Sequence, residues 1–245
     1  MILAVDAGNS RIKWGMHDGL AWIRKGWVSH ADAVTLERDW LTLPEPSRIV
    51  VSNVAGDAMR LMLEQMLTRW TVVSPGTYWI TSLPEQCGVY NRYDNPAQLG
   101  CDRWAALIAA WRRCAGACVV VNAGTAVTVD ALTDEGVFLG GMIVPGLLPM
   151  RQALARRSTN LSVACGHFSQ FPGNTADAVH SGILSAIVGA VEKMVAVLEE
   201  KCGKTPLCLV SGGDAALVRE RLSVDAMIVD NLVLDGLIEM SQGYL

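Results

Sequence analysis

The sequence is short of basic charge, of paired cysteines and of anything resembling an export or membrane signal. Lysine and arginine total 20 against 24 aspartates and glutamates, a formal net charge of −4, with a pI near 5.6. Such a chain carries no basic surface field to draw in nucleic acid. An anionic ligand has to be held locally, by backbone N–H groups, a few cationic side chains and a metal. The seven cysteines include no CxxC pair and no zinc-type spacing to histidine. They read as reduced thiols, several of them buried, in a reducing compartment. No basic leader or cleavage site precedes Ile2-Leu3-Ala4-Val5-Asp6. The apolar segment 183–198 is interrupted by Glu192 and Lys193, so no membrane span is expected. These absences point to a cytoplasmic protein. What is present is a 51% hydrophobic chain of 245 residues, enough for one large domain or two modest ones.

Periodicity predicts a strand over 2–6, a turn at Gly8-Asn9-Ser10, and a second strand carrying Ile12, Trp14 and Met16 as far as Asp18-Gly19. A third strand is expected at 20–28, a buried one from Arg48 to Asn53, and an amphipathic helix from about Asp57 to Trp70. Asn95-Pro96-Ala97-Gln98 reads as a helix start, with Asn95 as N-cap and Gln98 at the capping-box position. After Gly116 the opening pattern returns: an apolar strand from Cys118 to Asn122, Ala123-Gly124-Thr125, alternating Val127, Val129 and Ala131, and a strand over 136–144. A core or dimer helix is expected from Asp177 to Glu200, then a strand at 207–210, a helix near 214–222, a strand at 226–229 and a final helix from about 232. Residues 158–174 have no clear period and read as a functional loop.

Aligning Val5-Asp6-Ala7-Gly8-Asn9-Ser10 with Val121-Asn122-Ala123-Gly124-Thr125-Ala126 exposes a repeat of half the chain. It implies two similar domains, 1–116 and 117–245, facing across a cleft. The chemistry follows the repeat. A turn between two strands presents consecutive N–H groups to an anion, and a carboxylate at its mouth, Asp6, suits Mg²⁺. An ordinary capped hairpin has the same composition; the second copy, followed by Thr128 and Asp130, is what distinguishes a two-sided polyphosphate grip. In Leu99-Gly100-Cys101-Asp102-Arg103, a glycine inside a helix costs roughly 1 kcal/mol unless something approaches closely, and Arg103 can fork two bonds to a carboxylate. The plainer reading is an acid favoured by the helix dipole and a surface cation. Ser211-Gly212-Gly213-Asp214 is either a nucleotide cradle or a turn. His17, His30, His167 and His180 read as surface or loop residues, and the eight tryptophans as core or rim.

Five motifs carry a resemblance: Asp6-x-Gly8-Asn9-Ser10; Tyr93-x-x-Pro96-x-x-Leu99-Gly100-x-Asp102-Arg103; Gly124-Thr125-Ala126-x-Thr128-x-Asp130; Gly140-Gly141-x-Ile143-x-Pro145-Gly146; and Asn174-Thr175. In this order they resemble the type III pantothenate kinases. The resemblance implies an α/β fold of two RNase H-like domains around an ATP cleft, as in actin-like ATPases. It also implies ATP-dependent phosphorylation of pantothenate at its 4′-hydroxyl, opening coenzyme A synthesis. By the resemblance, Asp102 receives the hydroxyl proton, and Tyr93, Gly100, Cys101, Asp102 and Arg103 bind pantothenate. Thr175 completes that pocket from the neighbouring subunit of a homodimer. Asp6, Ala7, Gly8, Asn9, Ser10, Arg11, Ile12, Lys13 and Thr125 bind ATP, and Asp6 holds Mg²⁺. Asn122 stands where the family commonly has Asp, which weakens the site for a monovalent cation, K⁺ or NH₄⁺. The alternatives are a regulatory accessory factor of the same family and a kinase of another small alcohol or acid.

Overall fold

Apolar runs broken by short turns build the first sheet. The computed structural model describes residues 1–71, 76–114, 116–157 and 166–242. In it β1 (Ile2–Ala7), β2 (Arg11–His17) and β3 (Trp22–Ser29) form an antiparallel meander. A short helix, α1 (Leu36–Trp40), leads to β4 (Arg48–Asn53), which pairs parallel to β1; α2 (Asp57–Thr71) then leads to β5 (Thr77–Trp79), parallel to β4. The order is β3-β2-β1-β4-β5. The central strands β1 and β4 are buried almost end to end, as expected of strands covered on both faces. Trp14, Trp40, Leu63, Leu67 and Trp70 pack with Leu3, Val5 and Val51 in one cluster, and Trp14 meets Trp40 edge to face with centroids 6.5 Å apart. Farther on, β6 (Glu85–Gln86) and β7 (Val89–Asn91) form a hairpin turned by Cys87 and Gly88, both at positive φ.

The expected helix start at Asn95 is displaced. Asn95 does cap, its side chain accepting from the Ala97 N–H, but it caps a single 3-10 turn over Pro96–Gln98. Leu99 is extended (ψ 128°), and α3 begins only at Cys101 and runs to Cys114. Gly100 therefore lies outside the helix rather than within it.

The second sheet repeats the first. Strands β8 (Cys118–Ala123), β9 (Ala126–Leu132) and β10 (Val137–Pro145) form the meander. Helices α4 (Leu147–Arg157) and α5 (Thr175–Cys202) precede β11 (Leu207–Ser211), which pairs parallel to β8; α6 (Ala215–Arg219) precedes β12 (Ala226–Ile228), parallel to β11. The order β10-β9-β8-β11-β12 matches β3-β2-β1-β4-β5 strand for strand. Residues 158–165 of the expected loop, with Cys165, lie outside the described residues. Asn174 caps α5 by accepting from the Asp177 N–H, and Gly203 ends it in the left-handed conformation at φ 68°. By length and apolarity α5 meets the test for a membrane span. Its Ile183, Ile187, Val191, Val195 and Leu198 instead pack with Val119, Val129 and Val210 in the core of this half, so it is a core helix.

The chain divides into two compact units, Met1–Arg112 with Leu232–Leu245, and Arg113–Asn231. The sequence assigned the last helix, α7 (Leu232–Gln242), to the second domain. It packs instead on β1, β2 and β4 of the first. Trp22 Nε1 donates to Asp235 (3.0 Å), Arg112 pairs with Glu239 (3.0 Å), and Arg48 donates to the Ser241 carbonyl. Such pairings between segments far apart in sequence leave no periodic trace. A Cβ at Gly236 would sit 1.9 Å from the Ala105 carbonyl oxygen, so α7 and α3 meet backbone to backbone. Gly236→Ala is expected to destabilise the protein by about 3 kcal/mol, read as a lowered midpoint in thermal or urea unfolding.

Candidate active site

Asp6 ends β1, and the sheet sets Lys13 of β2 and Ser52 of β4 beside it in register. Residues directly opposite across paired strands project to one face, so a carboxylate, an ammonium and a hydroxyl share it. Asp6 is 5% exposed. Its Oδ1 is buried without a partner, and Ser52 beside it is fully buried. Burial pushes the Asp6 pKa up to about 7, with Asp102 adding to the rise and Lys13 and Ser52 opposing it.

Asp102 reaches this neighbourhood because α3 starts where it does. Its Oδ1 folds back to accept from the Arg103 N–H at 2.8 Å. A Cβ on Gly100 would lie 2.6 Å from that oxygen, so the close approach that the glycine signals is made by the Asp102 carboxylate itself. Burial raises the Asp102 pKa, against the Arg103 N–H bond and the charges of Arg103 and Lys13. Asp6 thus feels the charge of Asp102, and both feel Lys13. The surface-cation reading of Arg103 fails: the residue is 6% exposed, and its Nη1 donates to the Tyr93 hydroxyl at 3.1 Å. Asn91 fixes the Tyr93 loop by accepting from the Tyr93 N–H (3.1 Å) and donating to the Pro96 carbonyl (3.3 Å).

The turn after β1 closes with the Gly8 N–H donating to the Arg11 carbonyl at 3.1 Å. Its counterpart after β8 closes with the Gly124 N–H donating to the Ala126 carbonyl, also at 3.1 Å. In each turn one amide is therefore engaged within the turn. Ala7 and Ile12 have fully buried side chains, so of the residues assigned to ATP these two belong to the core. Arg11 is exposed and stacks 4.2 Å over Trp27. Two histidines were misread. His17 is buried, its Nδ1 accepting from the Gly19 N–H at 3.0 Å. His30 donates from Nε2 to the Gly8 carbonyl at 2.8 Å, bracing the turn.

In the second unit Asn122 occupies the place of Asp6, with Thr128 and Ser211 as its register partners. Thr125 lies in the turn that follows, and Thr175 is the exposed first residue of α5. Two glycines crowd this turn. A Cβ at Gly146 would come within 2.1 Å of the Gly124 carbonyl oxygen, and one at Gly212, whose φ is +105°, within 2.3 Å of the Ala123 oxygen. Gly212-Gly213 is thus a turn packed onto the end of β8. Two residues of the site carried no signal in the sequence: Ser52, a polar end to an apolar strand, and His30.

Two sheets that share one five-strand order, each with a tight polar turn after its first strand, define a protein of the actin-like ATPase fold. That fold is shared with a Campylobacter jejuni protein described as a candidate Baf family transcriptional activator (TM-score 0.63, 20% identity, covering 99% of this chain and 100% of that one). It is shared too with the activator of 2-hydroxyisocaproyl-CoA dehydratase from Clostridium difficile, solved with bound ADPNP (TM-score 0.53, 12% identity, 98% and 92% covered). Within this class the chain belongs to the type III pantothenate kinase family, whose model matches residues 2–197. The type III pantothenate kinase of Nitrosospira multiformis is 48% identical over 242 residues, 99% of this chain and 91% of the relative. The chain is accordingly an ATP-dependent kinase that phosphorylates pantothenate in coenzyme A biosynthesis.

Proposed function

We propose that Asp102 is the catalytic carboxylate of this kinase and Asp6 its metal-holding carboxylate. The observation that carries the reading is the pair of acids, Asp6 buried and Asp102 half-buried, with Lys13 acting on both. In phosphoryl transfer the substrate oxygen attacks the γ-phosphorus, the bond to the ADP oxygen breaks, and the hydroxyl proton passes to a base. The transition state is loose and the proton leaves late, so the base chiefly orients the hydroxyl. Asp102 does both: its carboxylate is fixed by the Arg103 N–H, and burial makes it a stronger base than an exposed aspartate. Arg103 and Tyr93 bind the pantothenate carboxylate and neighbouring polar groups, while Gly100 and Cys101 hold the backbone against it.

The residues around Asp6 fit a divalent cation. An unpartnered buried carboxylate oxygen is a ready ligand, and Mg²⁺ takes few carboxylates, with phosphate oxygens and water as the rest. Bound there, Mg²⁺ supplies neutralisation of charge on the ATP phosphates. Gly8, Asn9, Ser10 and Lys13 hold those phosphates through backbone N–H groups, a hydroxyl and the ammonium, and Thr125 is the corresponding turn hydroxyl of the second unit. Asn122 offers a neutral oxygen where Asp6 offers a charge, so a monovalent cation is bound weakly at that place. The homodimer is supported by α5, whose exposed face carries Ala178, Gly182, Ser185, Ala186 and Gly189, small residues that let a second helix approach. Thr175 then reaches the partner's pantothenate. A reduced-thiol, acidic chain of this kind works in the cytoplasm.

One experiment joins these readings. The purified protein is expected to sediment as a dimer and to phosphorylate pantothenate only with Mg²⁺. Its rate should change no more than about twofold as K⁺ is titrated from zero, in keeping with a neutral ligand. A monomer of full activity would refute the shared site, and a steep K⁺ requirement would refute the role given to Asn122.

A further inference from the structure

Strand pairing lays Ser52, Asp6, Lys13 and Trp27 in one row across the first sheet, and residues opposite one another project to the same face. Trp27 lies in β3, the edge strand, two strand spacings or about 10 Å from Asp6 along the row. It is 57% exposed, whereas Trp14 and Trp40 of the same unit are buried in the core. Arg11 stands two residues before Lys13 on β2, so its side chain leaves on the same face. Its carbonyl accepts from the Gly8 N–H and closes the turn after β1. Its guanidinium carbon sits 4.2 Å from the centroid of the Trp27 ring. Among the described residues no carboxylate pairs with this cation and no acceptor takes its N–H groups.

We propose that Trp27 is a positioning residue for ATP: its ring holds Arg11 on the face of Asp6 and Lys13, as a second cation for the triphosphate. The inference rests on the reading of the turn after β1 as the phosphate site. Attraction between a cation and a π face uses none of the guanidinium N–H donors. Arg11 held on the ring can therefore still fork two bonds to phosphate oxygens. A free arginine loses much rotamer freedom when it binds, and the ring removes part of that cost before ATP arrives. The second unit supplies a comparison. Its equivalent row is Ser211, Asn122, Thr128 and Ile143, with Ala126 in the place of Arg11. The fold thus requires neither a cation nor a ring at these points, and both occur on the side that carries the carboxylate.

Binding titrations with ATP, adenosine and pantothenate test the pair. Arg11→Ala is expected to weaken ATP binding about tenfold and Trp27→Ala about two- to fivefold, while adenosine and pantothenate bind as in the wild type. Because Trp27 acts through Arg11, adding Trp27→Ala to Arg11→Ala should cost nothing further. Trp27→Tyr, which keeps a π face, should bind ATP nearly as the wild type does. Trp27→Leu, which keeps only bulk, should match Trp27→Ala. Rescue by leucine as complete as by tyrosine, or independent losses from the two alanine substitutions, overturns the proposal. Weakened adenosine binding would make Trp27 a platform for the base and overturn it too. Lys13→Ala is the control. If it binds ATP like the wild type, the reading of the turn as the phosphate site fails, and the inference with it. If Lys13→Ala weakens ATP and Trp27→Ala does not, the inference about Trp27 alone fails.

Discussion

Asp102→Asn is expected to lower kcat by about a thousandfold, within the range that a positioned acid–base group supplies, with little change in KM for ATP. The amide keeps the shape and can still accept from the Arg103 N–H that orients the carboxylate (2.8 Å), so the fold and the helix start survive. What it cannot do is take a proton. Because burial already holds the Asp102 pKa above that of an exposed acid, the wild-type rate should fall as the pH drops toward the carboxylate range, and this acid limb should vanish in the variant. Steady-state rates from pH 5 to 8 with circular dichroism on both proteins test this. A variant within tenfold of the wild type would remove Asp102 from the chemistry.

Asp6→Asn should lose Mg-dependent turnover and gain stability. The direction follows from proton binding. In the native state the carboxyl titrates at about 7, against 3.8 when unperturbed. Between those values the folded protein holds a proton that the unfolded chain has released. Stability therefore declines as pH rises through that window, and the deficit is complete above pH 7. Asparagine carries no such penalty. The metal-free variant is expected to exceed the wild type by up to about 4 kcal/mol at pH 8, and the difference should close near pH 4. Saturating Mg·ATP should raise the melting temperature of the wild type and leave that of the variant unchanged. Denaturant unfolding at three pH values would settle the sign; a variant less stable than wild type at pH 8 would contradict it.

Much of the architecture was written in local pattern. The two meanders, the buried strands β4 and β11, and most of α5 follow from periodicity, whereas the Asn174 cap starts α5 at Thr175, ahead of the expected Asp177. The repeat around Asp6 and Asn122 pointed to two similar halves, and five strands of each sheet share one order. What periodicity missed was tertiary. The cap at Asn95 is genuine, yet Leu99 turns extended and α3 starts three residues after Gln98, where Asp102 can fold over Gly100. Ser52 and His30 act only through partners fixed by strand pairing and by the turn, so neither could be found from spacing. The plainer alternative for Arg103, a surface cation, rested on charge predicting exposure, and burial against Tyr93 removes it.

The discontinuity of the first unit bears on how the protein is made. Translation delivers α7 last, although its place is on β1, β2 and β4, which leave the ribosome first. The second unit, by contrast, is continuous from Arg113 to Asn231, and all of its strands are available before α7 is. The first unit therefore cannot complete its core until the last residues of the chain are made, which departs from the N-to-C order in which domains usually mature on the ribosome. For that interval the apolar face that α7 will cover is the part of the molecule most in need of a chaperone.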